Sequence, residues 1–308
     1  MSKRYRLWIK IAAVIVAVFV VAGKIAANSN IIKAAPSDLL LRAFDAGPYD
    51  TTSDFVEFCD VGQGDSTLIQ SDGHTALVDC GSATDGNILS EICRKAGVFK
   101  IDYVFISHLH EDHMGGLPGL LQQFEVGNLV ISASFADDAD TDLYKYVISE
   151  AKKDNVNIIL PEQNNQYKVG NAEFNILYVP ETTNKENNNS IIIRLVLCNR
   201  SVLFTGDCEE DEESLISGHN INVKSDVLKL GHHGSATSTS EEFLKEVSPL
   251  AAVASAKYDN RYKHPSEKTV SRLNEYGIPC YRTDLDGSVT CLFKNNTIVF
   301  KTQREGFG

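Results

Sequence analysis

The sequence predicts an α/β protein in which two packed β-sheets carry helices on their outer faces, an αββα sandwich. Three observations lead there. Short apolar runs separated by Gly, Asp and Asn turns open the main part of the chain, as successive hairpins do, and strand-like and helix-like patterns then alternate. A length of 308 residues with 43% hydrophobic content is enough to bury one large core. The histidine- and aspartate-rich segments all fall where a strand pattern ends, so they converge on one edge of such a sandwich.

Strands are expected over Phe55 to Cys59, Ser66 to Gln70, Thr75 to Asp79, Asp102 to Ser107, Asn128 to Ser132, Asn157 to Leu160 and Ala172 to Tyr178. Further strands are expected over Ser190 to Cys198, Ser201 to Thr205, Val223 to Leu230, Leu250 to Ser255, Pro279 to Arg282, Ser288 to Phe293 and Thr297 to Phe300. Helical spacing marks Ile88 to Ala96, Gly116 to Gln123, Thr141 to Lys153, Glu209 to Ser217, Ser240 to Val247 and Ser266 to Tyr276. Ser240 and Ser266 stand where N-caps belong. No internal repeat is visible, and low complexity is confined to Asn187-Asn188-Asn189.

The first residues follow another logic. Lys3, Arg4, Arg6 and Lys10 precede an apolar run from Ile11 to Gly23, closed by Lys24. The run is short for a span of about 20 residues and suits a signal-peptide core. With Leu7, Trp8 and Ile9 counted, an uncleaved anchor in the cytoplasmic membrane is the second reading; Ile25-Ala26-Ala27 makes only a passable cleavage site. Either way the positive residues stay cytoplasmic and the rest lies outside. The expected organisation is a leader or anchor over 1–27, a linker over 28–53 with Pro36 and Pro48, one domain over 54–302 and a tail over 303–308.

The formal charge is −12, and removing residues 1–27, with five bases and no acids, moves it to −17. Phosphate affinity comes mainly from Lys and Arg, so stable nucleic-acid binding is not expected. Of the seven cysteines, Cys59, Cys80, Cys93, Cys198, Cys208, Cys280 and Cys291, none forms a CxxC pair. Buried free thiols are expected, with Cys198–Cys208 as the alternative pairing.

The densest chemistry is Ser107-His108-Leu109-His110-Glu111-Asp112-His113-Met114-Gly115-Gly116, three histidines and an aspartate within six residues just after a strand. In extended backbone His108 and His110 point the same way, while Asp112 and His113 sit across the turn, so one loop can serve two adjacent metals. Other segments carry compatible groups: DVGQGD from Asp60 to Asp65, TALVDCG from Thr75 to Gly81, TGD ending at Asp207, LKLGHHGS from Leu228 to Ser235, and YKHP from Tyr262 to Pro265.

Together these motifs resemble the metallo-β-lactamase fold, and within it the hydrolase domain at the end of the competence DNA-uptake protein ComEC and its stand-alone relatives. The resemblance covers about residues 54 to 302. It implies that His108 and His110 hold a first divalent metal, that Asp112 and His113 hold a second, that Asp207 bridges them and that His264 completes the second site. Two cations about 3.5–4 Å apart would share that carboxylate and a hydroxide, which attacks the substrate. One departure matters: no histidine lies between His113 and Asp207, and Asn187 to Ile191 stands in its place. The first site would then hold His108, His110 and Asp207, with Asn189 or water. An oxygen-rich site favours manganese over zinc, and both remain candidates.

Asp112 and His233 are the expected catalytic residues, and His232, His233 and Ser235 the expected substrate-binding ones, holding the scissile phosphate and protonating the leaving oxygen. Of the two histidines, His233 is favoured for substrate contact and His232 for a structural hydrogen bond, since only one of two neighbours in extended backbone faces a pocket. Replacement of the missing ligand by one of these two histidines is the alternative. Asp60, Gln63 and Asp65 would support the ligand loops. The run Glu209 to Glu213 reads as the acidic first turn of a helix, and His74 and His219 as surface residues.

The expected activity is that of an exported metal-dependent phosphodiesterase, with DNA the substrate the resemblance suggests. Within these residues no counterpart of the competence channel appears, so scavenging of extracellular DNA or a nucleotide is the simpler role. A second reading is hydrolysis of a wall-polymer phosphodiester, as in phosphorylcholine esterases, with Tyr258 and Tyr262 the only aromatics near His264 for a choline cage. A metal-free scaffold of the same fold is the non-enzymatic reading.

Overall fold

Apolar residues alternate along almost every strand, and both sets are buried. In the computed structural model, which describes residues 54–304 apart from 85, 133–141, 182–185 and 295–296, this alternation builds two sheets covered on both sides. The expected leader, linker and most of the tail lie outside the described residues.

The first sheet contains β1 (Phe55–Phe58), β2 (Ser66–Ser71), β3 (His74–Cys80), β4 (Lys100–Ile106), β5 (Glu125–Ile131) and β6 (Asn157–Ile159). The second contains β7 (Gln166–Val169), β8 (Ala172–Tyr178), β9 (Ile192–Leu197), β10 (Arg200–Phe204), β11 (Val227–Lys229), β12 (Ala251–Ala254) and β13 (Cys280–Arg282). The chain then returns to the first sheet with β14 (Val289–Lys294) and β15 (Thr297–Thr302), giving the orders β15-β14-β1-β2-β3-β4-β5-β6 and β13-β12-β11-β10-β9-β8-β7. Pairing is antiparallel from β1 to β3 and parallel from β3 to β6. It is parallel again from β10 to β13. Parallel strands need crossovers that cover the sheet, and these supply the helices.

Three apolar layers result. Val56, Phe58, Ile69, Phe105 and Val130 of the first sheet meet Phe174, Ile193, Val202, Phe204 and Val253 of the second, with Phe105 stacked on Phe174 at 4.5 Å. On the first sheet's outer side Leu68, Leu77, Val104 and Ile106 pack under α1 (Gly86–Lys95), α2 (Glu111–Met114), α3 (Leu117–Leu121) and α4 (Asp142–Lys153). On the other outer side Leu203, Leu228, Ala252 and Ala254 pack under α5 (Glu210–Gly218), α6 (Glu241–Val247) and α7 (Glu267–Glu275). The expected αββα sandwich is the observed fold. A last short helix, α8 (Thr283–Asp286), follows β13.

Ser240 and Ser266 cap α6 and α7, accepting the backbone N–H of Phe243 at 3.3 Å and of Thr269 at 3.1 Å. The polar edge strand β7 and the short helices α2 and α8 are not anticipated by periodicity, and β11 is shorter than the Val223 to Leu230 pattern. All seven cysteines are free thiols, and Cys208 is buried under α5 while Cys198 is exposed, so the alternative Cys198–Cys208 pairing is not formed. Among the described residues no helix is long and apolar enough to cross a membrane.

Candidate metal centre

The C-terminal ends of the parallel strands deliver the polar cluster. Asp79 is the penultimate residue of β3, Ser107 and His108 follow β4, and α2 carries Asp112 and His113. Asp207 follows β10 through Gly206, whose φ of +51° favours glycine and where a Cβ would meet Ser190 Oγ at 2.6 Å. Ser190 Oγ also accepts the Asp207 N–H at 2.9 Å, which fixes that turn. A 3-10 turn at Gly231–Gly234 follows β11 and holds His232 and His233.

Four imidazoles present Nε2 to Asp207. His113 Nε2 lies 3.2 Å from Oδ1, while Nε2 of His108, His232 and His233 lie 3.8, 3.7 and 3.8 Å from Oδ2. His233 Nε2 is also 3.3 Å from Asp112 Oδ2. The expectation that only one of His232 and His233 faces the pocket assumes extended backbone. Both residues have positive φ, 47° and 56°, and the left-handed turn brings both rings to the same carboxylate.

The other ring nitrogens identify the tautomers. His113 Nδ1 lies 2.9 Å from Asp79 Oδ2, and His233 Nδ1 lies 3.0 Å from the Ser255 carbonyl, both acceptors. Ser107 donates its hydroxyl to Asp79 Oδ2 at 2.8 Å, so its oxygen is left to accept from His108 Nδ1 at 3.1 Å. His232 Nδ1 faces Glu209 Oε1 at 3.2 Å. A neutral ring in each place therefore keeps its proton on Nδ1 and its lone pair on Nε2. The Nε2 atoms of His108, His113 and His233 and Oδ1 of Asp207 are buried without a hydrogen-bond partner. Orphaned buried acceptors converging on a carboxylate are the donor set a divalent cation satisfies. Ligand atoms of His108, His113 and Asp207 lie within 4.8 Å of one another, as do those of Asp112, His113 and His233.

Electrostatics follow the same geometry. Burial, with His113 beside it, pushes His108 well below the ordinary imidazole range. Burial also works against charge on His113 and His233, but Asp207 with Asp79, and Asp207 with Asp65, outweigh it and raise both rings. Asp207, although buried, is held well below the usual carboxylate range by His113 and His233. Burial works against charge on Asp112 too, but the neighbouring His233 and His113 rings outweigh it and lower its carboxyl. His264 drops to about 4 through burial and the neighbouring His232 and His233.

Other expected site residues fall around this cluster. His110 precedes α2, its ring 4.6 Å from that of His108. The His264 ring stands 5.3 Å from His232 and 6.4 Å from His233, with Nδ1 buried and unpartnered. Ser235 turns its hydroxyl to Thr237 at 2.9 Å, within the loop. Asn189 is buried at the end of the 3-10 turn Glu186–Asn189. Asp65 is buried, receiving Lys229 Nζ at 2.6 Å and lying 3.8 Å from His233 Nδ1, whereas Asp60 pairs outward with Arg304 at 2.8 Å. Gln63 Oε1 is buried without a partner. His74 and His219 are exposed.

Four further residues have roles at the site that the sequence did not show. Asp79, Ser107 and Ser255 orient the rings, and Glu209, outside the helix it precedes, gathers His232, Thr237 and Asn187. The Asp-Cys-Gly end of β3 was the available signal for Asp79. Glu213 of the acidic run is buried on the Thr239 and Ser240 N–H groups, so that run serves more than the helix dipole.

The metallo-beta-lactamase superfamily profile matches residues 59–256. The chain is 29% identical over 265 residues to ComE operon protein 3 of Bacillus subtilis, covering 80% of this chain and 34% of that protein. It is 34% identical over 238 residues to competence protein ComA of Neisseria gonorrhoeae, covering 76% of this chain and 31% of that one. It thus spans about a third of the length of these curated relatives, and they bear out the resemblance to the competence family. Among solved structures, the metallo-beta-lactamase fold protein YhfI of Bacillus subtilis superposes with a TM-score of 0.52 at 15% identity, over 74% of this chain and 96% of that chain.

Proposed function

Because this chain belongs to the metallo-β-lactamase superfamily, we propose that its cluster around Asp207 is the centre of a metal-dependent phosphodiesterase with nucleic acid as substrate. The observation that carries this reading is the convergence of four Nε2 atoms on one carboxylate, three of them buried without partners. His108, His110 and Asp207 would hold one cation, and Asp112, His113, His233 and Asp207 the other. On this reading His233 would take the ligand role expected of His264, since its Nε2 lies 3.3 Å from Asp112 Oδ2. Divalent cations supply, when bound, a Lewis acid for a phosphoryl oxygen and water acidified toward neutral pH.

The chain's own groups do the rest. Asp79 and Ser255 fix the rings so that Nε2 points inward. His232 is the exposed member of the four, its side chain 24% accessible, with Nδ1–H held by Glu209. With Nδ1–H so held, Nε2 would take a proton from solvent and the imidazolium so formed would pass it to the leaving oxygen; His264 stands beside it, its ring 5.3 Å away. The competence relatives favour nucleic acid over other diesters. The reading keeps the domain outside the cytoplasmic membrane, on the basic residues that precede the Ile11 to Gly23 run. For a choline cage, Tyr262 is poorly placed, because Arg261 already covers its ring.

The test is cleavage of linear single- and double-stranded DNA by the full chain with added manganese or zinc, beside Asp207→Asn. Metal-dependent cleavage lost in the variant is expected. No cleavage by a chain shown to hold the metals would overturn the nucleic-acid reading.

A further inference from the structure

A column of flat groups leads from the mouth of the centre to the surface. The His264 and Tyr262 rings stack at 5.7 Å and 25°, and the Arg261 guanidinium lies over Tyr262 at 4.6 Å. Arg261 also donates to the Tyr262 hydroxyl, so the pair is held as a unit. Tyr258 projects from the same loop with 70% of its surface exposed, and Tyr262 is 50% exposed. Asn260 closes the loop from inside: its Nδ2 reaches the Lys257 carbonyl at 2.9 Å and the His264 carbonyl at 2.6 Å, and its Oδ1 accepts the His264 N–H at 3.0 Å. The platform is therefore tied to His264 at the mouth.

The charge of this loop is opposite to that of the chain. Lys257, Arg261 and Lys263 accompany one acid, Asp259, in a protein of net charge −12. Among the described residues none of the three cations pairs with a carboxylate. Lys257 also lines a cavity of about 460 Å³ together with Ile88, Ile92, Glu91, Lys95 and the Asp60–Arg304 ion pair. Basic groups interleaved with exposed aromatics suit a strand whose bases are free to stack; in a duplex those faces are already occupied. An acidic protein cannot rely on tracking phosphates alone, so stacking must supply much of the grip.

We infer that the loop from Lys257 to Lys263 is a stacking platform for unpaired bases of a single-stranded nucleic acid, with Tyr258 and Arg261 as its contact groups. This rests on the phosphodiesterase reading for the mouth it adjoins, but binding tests it separately.

The experiment measures fluorescence anisotropy of a labelled oligothymidylate and of an abasic strand of the same length, at low salt with EDTA. The full chain is compared with Tyr258→Ala/Arg261→Ala and with Tyr258→Trp. The parent is expected to bind the base-bearing strand about tenfold more tightly than the abasic one. The double variant should lose that preference and Tyr258→Trp should keep it, with thermal unfolding unchanged in both. Equal binding of the two strands by the parent, as for a base-free wall polyphosphodiester, would overturn the inference. So would no binding, or a preference that survives in the double variant. Hydrolysis of bis(p-nitrophenyl) phosphate with added metal is read alongside: its absence counts against the phosphodiesterase reading, while a retained strand preference still upholds the platform.

Discussion

The Asp79 carboxylate takes Nδ1 of His113 at 2.9 Å across a separation of 34 residues, while its other contacts, the Ser107 N–H and hydroxyl, lie at 2.8 Å each. One buried carboxylate thus sets His113 directly and His108 through Ser107. Removing such a partner typically weakens metal affinity about 10–100-fold. Asp79→Ala should show that loss in equilibrium dialysis with manganese or zinc. Unchanged affinity in a folded variant would mean that the rings are held by packing alone.

Lys229 and Asp65 form a buried ion pair, each side chain at most 6% accessible, with Lys229 also donating to the Leu230 carbonyl at 3.0 Å. Breaking a buried pair by removing one member costs about 3–5 kcal/mol, because the other charge is stranded. Lys229→Met should lose that much stability in urea unfolding, and Lys229→Met/Asp65→Leu should recover part of it. A single variant as stable as the parent would show that water reaches Asp65.

Proton release on metal binding follows from the raised rings of His113 and His233. A cation must displace protons from Nε2, so affinity should fall as pH falls. Titration calorimetry in buffers of different ionisation enthalpy gives the number released. A heat independent of buffer would contradict the assignment of these nitrogens as ligands.

His264 behaves oppositely. Its folded value of about 4 lies below the value of about 6.5 for an unfolded histidine. Its contribution to stability is present above the unfolded value and lost as pH falls through this window, since the unfolded chain binds the proton first. Nuclear magnetic resonance of the metal-free protein should find the ring neutral at pH 5. The unfolding free energy of His264→Gln should depend less on pH between 4 and 6.5. A ring titrating near 6.5 would place it in open solvent.

The sequence made the sandwich legible because apolar alternation survives without any tertiary information, as in Val56 and Phe58 against Phe55, or Phe105 against Val104 and Ile106. His108, His110, Asp112 and His113 were visible for a similar reason: these candidate ligands are neighbours in the chain. Asp79, Ser255 and Glu209 were not, since each acquires its role from a partner more than 20 residues away. Lys229 was hidden in another way, for an alternating strand pattern reads its lysine as outward-facing, whereas the sheet buries it on Asp65. The facing of His232 and His233 turned on two left-handed backbone angles, which composition does not reveal.

The most direct measurement is the metal content of the purified full chain after dialysis against micromolar manganese or zinc, compared with Asp207→Asn. Four Nε2 atoms around Asp207 predict bound metal in the parent and a loss of at least about tenfold in affinity for the variant. A parent chain that holds no metal, or a variant that holds as much, would contradict the account and favour a scaffold of the same fold.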